Sequence, residues 1–178
     1  MRKQTMDIHL TILYFLMAFS SCSDRSIATD DIDKFISKYH NETFSDFMNV
    51  SISYRDSDFG DNIYMVAKQG GSYPPYIVRF NKRKEEVTGI DNKLLNQSNY
   101  TDYFTEKQIK NLMEKFIRVN VQSLSVDSIG NVFIKPFFGD DSPTLLRLKT
   151  TTGDSVVRKG HAYELYKDNW YLNNRTPN

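Results

Sequence analysis

The chain has 178 residues, 25% of them charged, with a formal net charge of +1 and a single cysteine. Near-neutral charge leaves no basic field to hold nucleic acid, and one cysteine allows no internal disulfide, so the domain folds on its apolar core alone. No apolar run reaches the roughly 20 residues that a helix needs to cross a bilayer core.

The N-terminus has the three-part layout of an export signal: Arg2 and Lys3, then an apolar run over 8–19, then the small residues Ser20 and Ser21. Asp7 stands before the run. Phe19-Ser20-Ser21-Cys22 resembles the lipobox of bacterial lipoproteins, with Phe19 where leucine usually stands. That resemblance implies that 1–21 is a signal peptide, that the chain is cut before Cys22, and that lipid (diacylglyceryl, palmitate) on this thiol anchors the protein to the membrane of the cell envelope. Loss of the segment carrying Arg2, Lys3 and Asp7 leaves the mature charge near zero. Ser23 beside the cysteine is similar to lipoproteins sorted to the outer membrane, periplasmic or surface-facing. Ser23-Asp24 is also similar to the surface-export signal of Bacteroidota lipoproteins, although those carry several acids and Arg25 follows here. Residues 22–29 lack apolar periodicity and read as a tether.

Two helices are expected in the mature chain. Ile32, Phe35, Ile36 and Tyr39 share one face of a helix over 30–39. A second helix is marked by a capping box between Thr105 and Gln108, by a staple of Phe104 on Ile109, and by a stripe of Ile109, Leu112, Met113, Phe116 and Ile117, with Asn120 as its end. The rest alternates as strands do, over 50–54, 63–67, 76–80, 87–90, 121–126, 132–138, 145–148, 155–166 and 170–172. Gly130, Gly139, Gly153 and Asp168-Asn169 punctuate the turns.

This order predicts an α+β fold: antiparallel β-sheet with two amphipathic helices, and 30–178 as one domain. A pseudo-repeat of halves 30–95 and 100–178 is suggested by laying Asn62-Ile63-Tyr64-Met65 on Asn131-Val132-Phe133-Ile134 and Arg79 on Arg147, a match that strand alternation can also produce by chance. A tandem pair of helix-plus-sheet lobes would resemble, in element order only, the beta-lactamase inhibitor protein and the PepSY domain; no residue role transfers from either.

Candidate chemistry is sparse. His40 and His161 are the mature histidines, with no cysteine pair and no HExxH, so no metal and no cofactor are expected. Asp56-Ser57-Asp58-Phe59-Gly60-Asp61-Asn62 has acids at calcium-loop spacing but lacks the glycine and glutamate such a loop needs, and reads as an acidic hairpin turn. Lys82-Arg83-Lys84-Glu85-Glu86 reads as a solvated hairpin tip, and Tyr73-Pro74-Pro75-Tyr76 as a turn entering a strand. Asp127-Ser128-Ile129 and Asp154-Ser155-Val156 resemble the Asp-Ser-aliphatic triplet of O-glycosylated Bacteroidota envelope proteins.

Tyr163, Tyr166, Trp170 and Tyr171 crowd the C-terminal hairpin and are the candidate binding residues, either as a stacking face for a glycan or protein partner or, by period-two alternation, as core. The expectation is a membrane-anchored envelope lipoprotein with a non-catalytic binding domain, with no catalytic residue assigned. The alternatives are an envelope hydrolase using Asp140, Asp141 or Glu164 beside His161, and a structural component of an envelope assembly.

Overall fold

The computed structural model describes residues 29–140 and 142–173. The export signal, Cys22, the tether up to residue 28, and Asp141 lie outside the described residues. Helix α1 spans Thr29–Tyr39, α2 Lys93–Gln97 and α3 Glu106–Val119. The strands are β1 Val50–Asp58, β2 Asp61–Lys68, β3 Tyr76–Asn81, β4 Glu86–Asp91, β5 Ser123–Val126, β6 Val132–Lys135, β7 Thr144–Arg147, β8 Ser155–Arg158, β9 His161–Lys167 and β10 Trp170–Asn173. All ten join one antiparallel sheet in the order β4-β3-β2-β1-β5-β6-β7-β10-β9-β8.

Both expected helices form, each for its stated reason. In α1, Ile32, Phe35, Ile36 and Tyr39 are the buried residues, while Asp30 and Asp31 lie in the first turn, where the helix dipole favours negative charge. In α3 the capping box is closed: Gln108 N–H donates to Thr105 Oγ1 at 3.3 Å, and Thr105 N–H donates to Gln108 Oε1 at 2.8 Å. Asn120 ends the helix in the left-handed region at φ 55°, which asparagine tolerates better than most residues.

Strand boundaries differ from the sequence reading, and β1 runs on four residues past Tyr54 to Asp58. The run 155–166 is two strands, β8 and β9, because Lys159 and Gly160 take positive φ (52° and 75°) and fold it into a hairpin. β6 stops at Lys135, since Pro136 has no N–H to continue a ladder. Val121 is buried in the core but precedes β5.

Period two divides the apolar residues between the two sides of the sheet. Val50, Ile52, Tyr64, Val66, Tyr76, Val78, Leu124, Val132, Ile134, Leu145 and Trp170 face the helices in the main core. Phe133, Leu146, Leu148, Tyr163 and Tyr171 form a second core on the opposite face, with Val156 against it. The quoted repeat alignment keeps its pairing here: Tyr64 lies opposite Val78 as Phe133 lies opposite Leu146. It reverses the facing, however, since Tyr64 and Val78 look into the main core while Phe133 and Leu146 look into the second.

The helices cross over between the two ends of the sheet. α1, which precedes β1–β4, packs on the far end, with the Phe35 ring 6.3 Å from Trp170 on β10, and Arg147 Nη1 on β7 donating to the Tyr39 carbonyl at 3.2 Å. α3, which precedes β5–β10, packs on the near end, with Phe116 edge-on to Tyr64 of β2 at 5.7 Å. The two helices meet where the Tyr39 hydroxyl donates to the Val119 carbonyl at 2.6 Å. Each helix therefore buries its apolar stripe against strands of the other half.

Candidate binding cleft

The C-terminal half of α3 stands over β2 and β3 and leaves a cleft of about 400 Å³. Its lining includes Tyr64 and Phe80 from the sheet, Phe116 and Ile117 from the helix, and Phe138 from the loop after β6. Phe138 is half exposed and stands edge-on to Tyr54 at 5.3 Å; Tyr54 in turn meets Tyr64 at 5.8 Å. The aromatic edges brace one another along this wall.

One polar pair sits in the cleft. Asn62 is buried on β2, and its Nδ2 donates to the Tyr64 hydroxyl at 2.8 Å. Among the described residues no donor reaches Asn62 Oδ1 and no acceptor takes the Tyr64 hydroxyl proton. Burial pushes the Tyr64 phenol up, against the opposing Asn62 hydrogen bond, so it remains a neutral donor at neutral pH. The pair thus offers one acceptor and one donor side by side.

Four charges line the same cleft: Lys82 and Glu85 on the β3–β4 turn, and Glu114 and Arg118 on α3. Among the described residues none of the four lies within 4.0 Å of an opposite charge, whereas Lys110, Lys115 and Arg79 nearby in sequence each reach a carboxylate.

A second exposed aromatic group lies at the other end of β3. Tyr73 sits edge-on to Tyr100 at 5.8 Å and to Tyr103 at 5.5 Å, with Lys68 Nζ 5.6 Å from the Tyr73 ring centre. Tyr103 donates its hydroxyl to the Pro74 carbonyl at 2.7 Å, which ties the Pro74-Pro75 turn to the entry of α3. The group has aromatic surface but no buried polar group that would select a ligand.

The C-terminal aromatics do not form a common face. Tyr163 and Tyr171 lie in the second core, and Trp170 in the main core on the opposite side of the sheet. Tyr166 is partly buried against the main core, its phenol raised by desolvation and then by Asp33 and Asp30. Trp170 Nε1 is buried with no partner among the described residues.

The residues weighed for hydrolysis are dispersed. His161 and Glu164 are three apart on β9, which sends them to opposite faces, and Asp140 lies in the β6–β7 loop. Among the described residues no hydrogen bond or ion pair joins these three side chains. His40, one residue beyond α1, has Nδ1 3.8 Å from Asp168.

The acidic segment 56–62 is the β1–β2 hairpin, turning through Phe59 and Gly60 at φ 46° and 92°, with Phe59 fully exposed. Its acids are occupied: Asp58 accepts from Arg79 at 3.1 Å, and Asp61 accepts from Asn81 at 2.6 Å and Thr88 at 2.8 Å. Among the described residues no group of three or more histidine, cysteine, aspartate and glutamate side chains could hold a metal ion. Ser128 and Ser155, in the two Asp-Ser-aliphatic triplets, are both exposed.

Asn62, Tyr64, Glu114 and Arg118 had no assigned role in the sequence reading. The available signal was Asn62, a polar residue at the buried phase of a strand otherwise filled by Tyr64 and Val66. Convergence of β2 with α3 is a long-range relationship that local pattern does not carry.

No protein-family model, no curated protein and no solved structure matches this chain. Among the described residues no helix is long and apolar enough to cross a membrane.

Proposed function

We propose that this chain is an envelope lipoprotein, held at the outer membrane by lipid on Cys22, whose folded part is a non-catalytic binding module using the cleft beneath α3. The observation that carries the binding role is the pair of unused hydrogen-bonding groups, Asn62 Oδ1 and the Tyr64 hydroxyl, set among braced aromatic rings. A few convergent polar groups in an apolar concavity are the usual composition of a ligand site. The lipid anchor is supported by Phe19-Ser20-Ser21-Cys22 after an apolar export segment.

The two parts are tested separately. Intact mass and membrane fractionation of the native protein beside Cys22→Ser report the anchor: a lipid-sized mass and membrane retention lost in the variant support it, and an unmodified soluble wild type refutes it. A photo-crosslinking residue placed at Phe138 tests the cleft against the same residue at Phe59, on the exposed hairpin tip. A discrete adduct from Phe138 alone supports the binding role; equal labelling at both sites, or none at Phe138, refutes it.

A structural role in an envelope assembly has one supporting observation. Met48 and Ile129 are exposed beside Leu148 and line a shallow groove away from the cleft, an apolar surface of the kind that assembly contacts use.

We also read 30–95 and 100–178 as pseudo-symmetric halves. Each is led by a helix; the first continues as the meander β1–β4 and the second as β5-β6-β7 followed by β10-β9-β8, and the two meet at the antiparallel pair β1 and β5, where Ile52 faces Leu124. Equal facing requires moving the quoted alignment by one residue, so that Tyr64 answers to a main-core position such as Val132 or Ile134.

A further inference from the structure

We propose that the cleft beneath α3 recognises a peptide segment, taking the N–H and C=O of one extended residue on Asn62 and Tyr64 and charged side chains of both signs on its rim. This rests on the reading of the cleft as the binding site and adds the class of its ligand. An extended residue presents its own N–H and C=O on one edge, the complement of the adjacent Asn62 Oδ1 and Tyr64 hydroxyl, which Asn62 Nδ2 holds at 2.8 Å. Asn62 is nine-tenths buried and Tyr64 more so, which fixes their directions before any ligand arrives. An apolar side chain beside that residue would lie between Phe116 and Phe138.

The rim chooses among amide-bearing ligands. An acetamido sugar's single trans amide points its N–H and C=O apart and would reach only one of the Asn62 and Tyr64 pair, and its hydroxyls would hydrogen-bond Lys82, Glu85, Glu114 and Arg118 without a charge to set against theirs. These are two cations and two anions, without partners among the described residues, around one cavity of about 400 Å³. A peptide of mixed charge meets both requirements at once, because its side chains project beyond the main-chain amide. The cavity takes a few residues rather than a folded domain, so the expected ligand is an extended segment or chain terminus.

The test uses isotope-labelled mature protein and three probes: the capped peptide Ac-Glu-Phe-Lys-NH2, its uncharged analogue Ac-Ala-Phe-Ala-NH2, and di-N-acetylchitobiose. Amide shifts are followed at Asn62, Ile117 and Val121. The expected result is a saturable response to the charged peptide, weaker for the uncharged one and absent for the disaccharide. Tyr64→Phe and Asn62→Leu, each removing one hydrogen-bonding group, should weaken peptide binding roughly five- to tenfold. Phe59→Ser, far from the cleft on an exposed turn, is the control and should bind as wild type. Native-like spectra of Tyr64→Phe show that its loss is not a loss of fold.

The peptide assignment is overturned if the disaccharide shifts the cleft residues and the peptides do not, which leaves the cleft as a binding site for another class. It is overturned equally if both peptides bind alike and Tyr64→Phe binds as tightly as wild type. If no probe moves the cleft residues and the crosslinker at Phe138 yields no adduct, the binding role falls with it.

Discussion

Phe35 on the first helix meets Trp170 on the last strand edge to face, with ring centres 6.3 Å apart and planes at 85°. This contact joins the two ends of the described chain and places the largest fully buried side chain under the first helix. Trp170 also receives the Arg147 guanidinium over its ring at 5.3 Å, so its removal leaves a cavity bordered by a cation. Trp170→Ala is expected to cost about 3–5 kcal/mol, read as a shift of the urea midpoint in a single transition.

The crossed packing makes a second expectation about the halves. Expressed apart, 30–95 would leave Phe35 and Tyr39 without β10 and β7, and 100–178 would leave Phe116 without Tyr64. Neither fragment is expected to unfold cooperatively alone, and mixing them should restore native circular dichroism. Independent cooperative unfolding of either fragment would contradict the interlocked arrangement.

Thr105 satisfies the Gln108 N–H at the start of α3, and α3 roofs the cleft. Thr105→Ala is expected to destabilise the domain by about 1 kcal/mol, with Thr105→Ser close to wild type. Thermal or denaturant unfolding of the two variants side by side separates the lost cap from a general effect of substitution.

Ser125 gives the opposite sign. Its Oγ is buried with no partner among the described residues, on a strand position between Ser51 and Phe133. Ser125→Ala removes a desolvated group without opening space, so stability should stay level or rise by up to about 1 kcal/mol. A loss of stability would mean that the hydroxyl has a partner after all.

Tyr103 sets an alkaline limit. Burial, reinforced by Tyr76 and Tyr73, pushes its phenol from 10.0 up to about 12. Below pH 10 both folded and unfolded chains hold this proton; between about 10 and 12 the unfolded chain loses it first, so stability falls as pH rises through that window. Denaturant midpoints across the window should drop less steeply in Tyr103→Phe, and absorbance titration of the folded protein should lose one late-ionising phenol.

Much of this architecture was legible because its signals are local. The stripe of α3, its capping box and the αL residue Asn120 are all written within sixteen consecutive positions, 105–120. The hairpin at Lys159-Gly160 was hidden because lysine seldom takes positive φ, whereas Asn-Gly or Asp-Gly would have announced the turn. Helix α2 has five residues, too few for a helical period to emerge.

Facing was harder to read than strand position. Tyr163 and Tyr171 are buried as alternation allowed, but in a core on the side of the sheet away from Trp170, and the long-range packing that encloses them leaves no local trace. The cleft was least legible of all, since Asn62 and Glu114 are brought together only when α3 lies across strands that precede it by some fifty residues.

The crossed helices also determine how the domain bears a load. A pull on the N-terminus acts first on α1, which is held over β7, β9 and β10 by Phe35, the Tyr39 carbonyl and the Asp33–Lys167 pair at 4.0 Å. Detaching it means sliding a whole apolar stripe across the far end of the sheet instead of unzipping one edge, and shear of that kind resists force over many contacts at once. The strand that anchors the helix is the last one described, so tension entering at one terminus is carried to the opposite end of the fold, and it reaches α3 as well through the Tyr39 hydroxyl on the Val119 carbonyl.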